Sequence, residues 1–388
     1  MNNQFAFLLF WATAMRKGMS RLCLALCSLG LVLSANAQEK GTIITFDAPG
    51  AGTVYSPVCA PYCGTIAYAN NNLELIVGSY TDANIVPHGF LREPNGHITS
   101  FDAPGAGLGA GLNEGTVAYA ITDEGVIVGQ YQDSNLLFHG FVRYVNGSFT
   151  TFEAPDAGTG ANQGTLAWDI NWAGTIAGTY IDGSGVYHGF LRSPRGTFTS
   201  FDPPGSIFTY PCEETCLSPD GTLTGFYLDS EYALHGFERT PDGNITTIDA
   251  PGAYLGSVAA SIAAGAIAGY FIDADGMLHG FLRARAGTFT TFAVPGSLGT
   301  VAYSINASQW VTGVYIDANS AAHGFIRFPN GSFATIDAAG SSTSGAPNGT
   351  RPSTNNLQGA VAGWFWDDDS LSHGFMWTPF PISQRTSQ

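Results

Sequence analysis

An all-β fold, a seven-bladed β-propeller of four-stranded antiparallel blades, is what this sequence predicts, and three observations predict it. The tripeptide His-Gly-Phe occurs seven times, at His88, His139, His188, His235, His279, His323 and His373, with successive copies 51, 49, 47, 44, 44 and 50 residues apart. A period of that size marks an array whose single unit cannot bury its apolar face alone. Within each copy, short β-rich runs are cut by Gly, Pro, Asn and Asp turns, the signature of successive hairpins. The last copy stops after His373-Gly374-Phe375-Met376-Trp377, while Gly41 to Asp47 form an isolated strand of the type it lacks. That N-terminal strand completes the last blade and closes the ring, where an open solenoid would need capping repeats.

The third copy shows how the strands are read. Gly164 to Ile170 is the innermost strand, a; Asn171 to Gly174 turns the chain; Thr175 to Tyr180 is strand b. After the turn Asp182 to Gly185, strand c runs from Val186 to Arg192, and Thr197 to Phe201 is strand d. Phe190 and Leu191 are adjacent, and Phe198 and Phe201 are three apart, so each pair points to opposite sides of its strand. A sheet with one wet face alternates cleanly. These sheets are apolar on both sides, as radially stacked blades require. The seventh copy departs most from the pattern, with Arg351-Pro352 in its strand a and Trp377 at the usual Arg, and is expected to be the irregular one.

Residues 1–37 read as a signal peptide. Arg16, Lys17 and Arg21 precede an apolar run, Leu22 to Leu33, too short to span a bilayer, and Ala35-Asn36-Ala37 is a small-x-small cleavage site. The propeller then occupies 38–380 and a tail 381–388. Removing the leader takes away three cations and no anion, so the formal net charge of −16 becomes more negative still. Such a field repels phosphate backbones, which argues against nucleic acid and anionic membranes as partners. Past the leader nothing is apolar enough to cross a membrane, and the chain reads as a secreted monomer.

Four cysteines follow the leader, Cys59, Cys63, Cys212 and Cys216, and an even number in an exported chain implies disulfides. Cys59 and Cys63 lie in a long loop, where a local bridge is feasible. Cys212 and Cys216 align with strand a of the fourth blade. Four residues of extended strand span roughly 13 Å, against the roughly 7 Å limit between bridged Cα atoms. Either Pro211 and Glu213-Glu214 break that strand, or the bridges cross between blades. No metal or cofactor is assigned, since His97 is the only histidine outside the repeat.

Gly-x-Tyr-x-Asp, then His-Gly-Phe-Leu-Arg, then Phe-Thr-x-Phe-Asp-x-Pro-Gly, repeated along the mature chain, resembles the bacterial extracellular repeats of the HAF family. The resemblance implies an exported repeat protein and carries no activity with it.

Three recurrent polar sets look functional and are read as structural. Each blade has an Asp six residues before its His: Asp82, Asp133, Asp182, Asp229, Asp273, Asp317 and Asp367. The Asp opens the b–c turn and accepts turn N–H groups, and the His across the hairpin donates to it or to backbone. Seven equivalent copies are not one active site. Arg92, Arg143, Arg192, Arg239, Arg283 and Arg327 close strand c and are expected to pair with surface acids. Thr65, Thr116, Thr165, Ser257, Thr300 and Thr350, with Cys212 in the fourth blade, are expected to face the central channel.

Function is expected where the copies differ, in the segments joining strand d to the next strand a. Loops on a rigid scaffold are the usual carriers of recognition. Tyr55, Tyr62, Phe208, Tyr210 and Tyr254 fall there and are the candidate ligand-binding residues, able to stack on sugar rings or grip a peptide, or equally to pack down and pin the loops. Glu213-Glu214 and Asp367-Asp368-Asp369 read as solvated acid, with calcium ligation as the alternative. With no unrepeated nucleophile and base, the sequence points to a non-catalytic module binding glycan or extracellular protein. The alternatives are a lyase or hydrolase on the same face, or a structural surface protein.

Overall fold

The computed structural model describes residues 41–59, 63–109, 114–343 and 348–379. The leader, the tail 381–388 and Tyr62 lie outside the described residues. Those described form 28 strands, all in sheets, and no helix among them is long and apolar enough to cross a membrane.

The strands pair as four-stranded antiparallel meanders. The third unit runs Gly164–Ile170 (a), Ile176–Ile181 (b), Tyr187–Arg192 (c) and Phe198–Phe201 (d). The fourth runs Ser206–Pro211, Leu223–Asp229, Leu234–Arg239 and Ile245–Ile248. The first unit lies within 65–101, the second within 115–152, the fifth within 256–292 and the sixth within 299–336. The last unit has Thr350–Asn355, Val361–Trp366 and Ser372–Thr378, and its fourth strand comes from the start of the chain. Thr42–Phe46 pairs with it in the register Thr42↔Thr378 to Phe46↔Gly374. Arg351-Pro352 sits inside a regular strand, so this unit is not the irregular one; the fourth is.

His-Gly-Phe has a packing reason. The phenylalanines Phe90, Phe141, Phe190, Phe237, Phe281, Phe325 and Phe375 are all fully buried. The glycine before each leaves room for strand d: a Cβ on Gly189 would lie 2.5 Å from the Phe201 ring. A second glycine, Gly178 on strand b, lies opposite a bulge in strand a between Ala167 and Asp169. A Cβ there would come within 2.2 Å of Leu166 O and 2.5 Å of the Phe190 ring. Core clusters straddle neighbouring units, as two-sided apolar sheets demand: Val128, Val142 and Phe152 of the second pack with Ala167, Ile176 and Phe190 of the third. The first unit also packs on the last, through Ser353 Oγ to Ala67 O (3.0 Å) and Asn356 Nδ2 to Asn71 O (3.0 Å).

The sheets are not all separate four-stranded ones. The second and third units merge into one eight-stranded sheet, and so do the fourth and fifth. A single parallel residue pair makes each join, Gly164↔Phe138 and Gly256↔Leu234. The same contact recurs as isolated bridges, Gly64↔Ser372 and Gly349↔Ala322. The glycine enters strand a with φ between +103° and +136° at these four joins, pressed against strand c of the preceding unit. Pro87 holds the corresponding place before Gly115, and without an N–H it cannot donate the bond that Phe138 N gives Gln163 O at 2.8 Å.

Candidate functional site

The b–c turns and the d–a loops lie side by side, because each parallel join ties the end of a d–a loop to the start of strand c. Along this face runs a series of histidine clamps. Asp182 Oδ1 accepts the turn N–H groups of Ser184 (2.8 Å) and Val186 (2.9 Å), and the Val186 bond leads in holding its carboxyl below the ordinary range. Its Oδ2 lies 3.5 Å from His188 Nε2. The other ring nitrogen, Nδ1, meets Asp202 at 2.7 Å, and the imidazole stacks on Tyr180 with centroids 4.9 Å apart. Six of the seven histidines are thus held by two carboxylates and a ring. The structural role expected of the Asp–His pairs fits this geometry.

The second carboxylate was missed in the sequence, although its signal is there. It is the Asp of Phe-Asp-x-Pro-Gly, fourteen residues after the His: Asp102, Glu153, Asp202, Asp249, Asp337 and, across the termini, Asp47 for His373. Ala293 occupies the position after His279, which keeps only Asp273, at 2.8 Å. Hydrogen bonding to Asp102 raises His88 above its ordinary pKa, and Asp47 does the same for His373.

The recurrent Thr and Ser residues are fully buried rather than lining a channel. Their hydroxyls accept a backbone N–H from the d–a loop: Thr165 from Ala154 (2.8 Å), Thr65 from Ala48 (3.0 Å), Ser257 from Ala250 (3.0 Å). Cys212 is not a member of this set. Thr209 is: it pairs with Tyr227 as Thr165 pairs with Tyr180. The residue after Asp202 is Pro203, which has no N–H to give, so Thr209 Oγ1 donates to the Asp202 carboxylate instead.

Of the strand-c arginines expected to pair with acids, Arg283 does and the others instead cover aromatic rings. Arg192 lies over Phe152 of the preceding unit (4.6 Å to the centroid), and Arg92, Arg143, Arg239 and Arg327 likewise cover Phe46, Phe101, Phe201 and Phe292. Where the preceding strand d offers Ile248 instead of Phe, Arg283 turns to Glu238 at 3.0 Å. Where it offers Ile336, the residue is Trp377, buried against it. The rule is set between units and is invisible within one.

Of the candidate ligand residues, Tyr55 (44% exposed) and Tyr254 (73%) stand open on this face. Tyr55 lines a cleft of about 180 Å³ with Val54, Ile85 and the Cys59–Cys63 bridge. Phe208 and Tyr210 are not in a loop. They lie on strand a of the fourth unit, stacked with Phe226 at 6.2 and 5.1 Å, because Ser206–Pro211 begins directly after the Pro203-Pro204-Gly205 turn. Tyr232, 76% exposed, was not singled out. It holds the left-handed turn position (φ +61°) that Gly185 and Gly276 fill in the third and fifth units and that Ile85, Leu136, Ser320 and Ser370 fill, also at positive φ, in the others.

Both disulfides are local, Cys59–Cys63 and Cys212–Cys216, with Cα atoms 5.1 and 4.9 Å apart. Strand a of the fourth unit ends at Pro211, and Cys212 turns away with φ +86°, which resolves the length conflict. The solvated reading holds for Asp368 and Asp369, which are exposed. It fails for Glu213, whose Oε2 is sealed from solvent, while Glu214 beside it is half-buried. Burial raises Glu213 to about 7, opposed by the Tyr270 bond, and Glu214 well above the ordinary carboxylate range.

No family model and no curated protein matches this chain. Among solved structures it is similar to the BP39L lectin of Burkholderia pseudomallei, at 11% identity and TM-score 0.50, over 88% of this chain and 99% of that one. It is similar also to a puromycin hydrolase, at 15% identity and TM-score 0.52, over 82% of this chain and 53% of that one. The likeness is one of fold: the chain is a β-propeller.

Proposed function

We propose that this protein is a secreted, closed, seven-bladed propeller of the HAF-repeat type that binds carbohydrate on the face carrying the b–c turns and d–a loops. Closure is supported by the antiparallel pairing of Thr42–Phe46 with Ser372–Thr378. Export is supported by the 1–37 segment and by two disulfides. The observation that carries the ligand class is the pair Tyr232 and Tyr254. Each lies two residues before one partner of the Leu234↔Gly256 join, which sets the two exposed rings on neighbouring loops. A tyrosine at positive φ costs about 1–3 kcal/mol relative to a residue at ease there. An exposed aromatic face with nearby carboxylates suits a sugar. The lectin name of the Burkholderia protein points to the same class.

A glycan array followed by calorimetry on the best hit tests this. Tyr232→Gly is expected to keep or raise the melting temperature while weakening glycan binding at least about tenfold, a loss of about 1.4 kcal/mol. Tyr254→Ala should weaken it similarly. No saturable binding, or full binding by the double variant, would sink the carbohydrate reading. Release of a cleaved sugar product would replace it with an enzyme.

A further inference from the structure

The seven histidine clamps are not equal. At His88, His188, His235, His323 and His373, Nδ1 meets a carboxylate oxygen at 2.7 to 3.0 Å, and at His139 it meets Glu153. His279 lacks this partner, because the residue fourteen positions on is the exposed Ala293. Among the described residues it hydrogen-bonds Asp273 alone, from Nε2 at 2.8 Å. Its side chain is also the most open of the seven, 33% exposed against 17% to 25%.

No neighbouring element supplies a substitute. On strand b the imidazole stacks on Phe271, with centroids 5.1 Å apart. Strand d ends at Phe292, and the adjoining strand a of the sixth unit, Gly299–Ile305, carries no charge. The b–c turn adds the exposed Asp275, whose N–H is given to Asp273 Oδ1 at 2.9 Å. The fifth clamp is thus one carboxylate short of an arrangement made six times elsewhere. A carboxylate only accepts, so Asp273 keeps a proton on Nε2. Nδ1 is then a lone pair in the neutral ring and a donor in the imidazolium, and only the imidazolium welcomes a second carboxylate.

The incomplete clamp lies beside an exposed aromatic ring. Tyr254 N donates to Ile272 O at 2.8 Å, one residue before Asp273. Gly252 of the same loop lies against Phe271, where a Cβ would come 3.6 Å from the ring that carries His279. Tyr254 and His279 therefore flank the same acid. The formal net charge of −16 repels a polyanion, so the place suits one carboxylate and not a run of them.

Resting on the carbohydrate reading above, we propose that the ligand is a carboxylated sugar of the uronic or sialic acid class, its carboxylate taking the missing acid's place at His279 Nδ1 and its ring stacking on Tyr254. The experiment is an array of matched pairs at pH 6 and pH 8, glucuronides beside glucosides and sialosides beside their carboxyl-reduced forms. Calorimetry on the tightest pair follows, with sodium acetate as the carboxylate that has no sugar. At pH 6 the acidic member should bind at least about tenfold tighter, as a charge-assisted hydrogen bond allows. The gap should narrow towards pH 8, where an ordinary imidazole, with a pKa of about 6.5, is neutral. Ala293→Asp restores the recurrent acid, so it should raise the melting temperature and erase the acidic member's advantage. His279→Gln should erase it as well, and if that variant does not fold, Ala293→Asp still decides. Equal binding of both members would overturn this inference and leave the carbohydrate reading standing, whereas an array blank for every glycan would overturn both. Acetate binding as tightly as the acidic sugar would overturn the sugar class, and an advantage that survives Ala293→Asp would overturn the role of His279.

Discussion

The third and fourth units are neighbours in the chain and share one plan, yet only one of them follows it throughout. Both bury a His-Gly-Phe phenylalanine completely, Phe190 and Phe237, and both clamp the histidine between two carboxylates, His188 with Asp202 and His235 with Asp249. They part company on strand a. The third enters it through Gly164, fixes it with Thr165 and ends it in an ordinary turn. The fourth enters after Pro203-Pro204, has no glycine join, fixes strand a through Thr209 to Asp202, and leaves it through a bridged loop that holds Glu213 and Glu214. The shared features are those that neighbouring units grip. The divergent ones lie on strand a and the loop after it, where the contacts with other units differ from those the remaining copies make. Repetition here builds the frame, and its single large departure brings unrepeated chemistry.

The largest expected effect tests the shared part. Phe190→Ala and Phe237→Ala should each cost about 3–5 kcal/mol in chemical unfolding, and by similar amounts. A Phe237 variant much milder than the Phe190 one would show that the fourth unit is loosely built, and the comparison would fail. A smaller effect concerns the clamps. His188→Ala should lose about 1–3 kcal/mol, since it strands Asp202 and Asp182. His279→Ala should lose less, because Ala293 has already removed one of its carboxylates. Equal melting temperatures for these two variants would mean the second carboxylate does little.

The smallest effect is a pH dependence that separates the two units. His88 and His373 have raised pKa values in the fold, so their contribution is complete below about 6.5 and fades as pH rises through the raised values. Glu213 is raised too, to about 7, so it stabilises below its ordinary value of 4.5 and loses that contribution between there and about 7. Both act in one direction. In chelator, the melting temperature should fall between pH 5 and pH 8, and Glu213→Gln should flatten part of that fall. A flat profile in the parent protein would remove the fourth unit's special standing.

Much of the frame was legible in the chain. The His-Gly-Phe period, the alternation that leaves both sheet faces apolar and the orphan strand at Thr42–Phe46 all appear in the structure as read, as do the turn bonds of Asp182. The site residues were legible only in part. Tyr55 and Tyr254 were found in loops and are exposed, whereas Phe208 and Tyr210 proved to be strand residues, because two prolines after Asp202 shorten the loop that the repeat led one to expect. Tyr232 was missed because it lies in a b–c turn, at a position that varies among Ile85, Leu136, Gly185, Gly276, Ser320 and Ser370, so nothing local marks it.

By itself, then, the sequence determined the strands, their turns and their order everywhere but at strand a of the fourth unit, since these follow from side-chain alternation and turn propensities acting over a few residues. Only the tertiary structure decided what each recurrent polar group touches: the second carboxylate on His188, the loop N–H on Thr165, the ring beneath Arg192 and the Tyr270 hydroxyl on Glu213. Those partners come from other strands and other units. Which of them meet depends on how twisted sheets pack against one another, and that is a property no single stretch of chain contains.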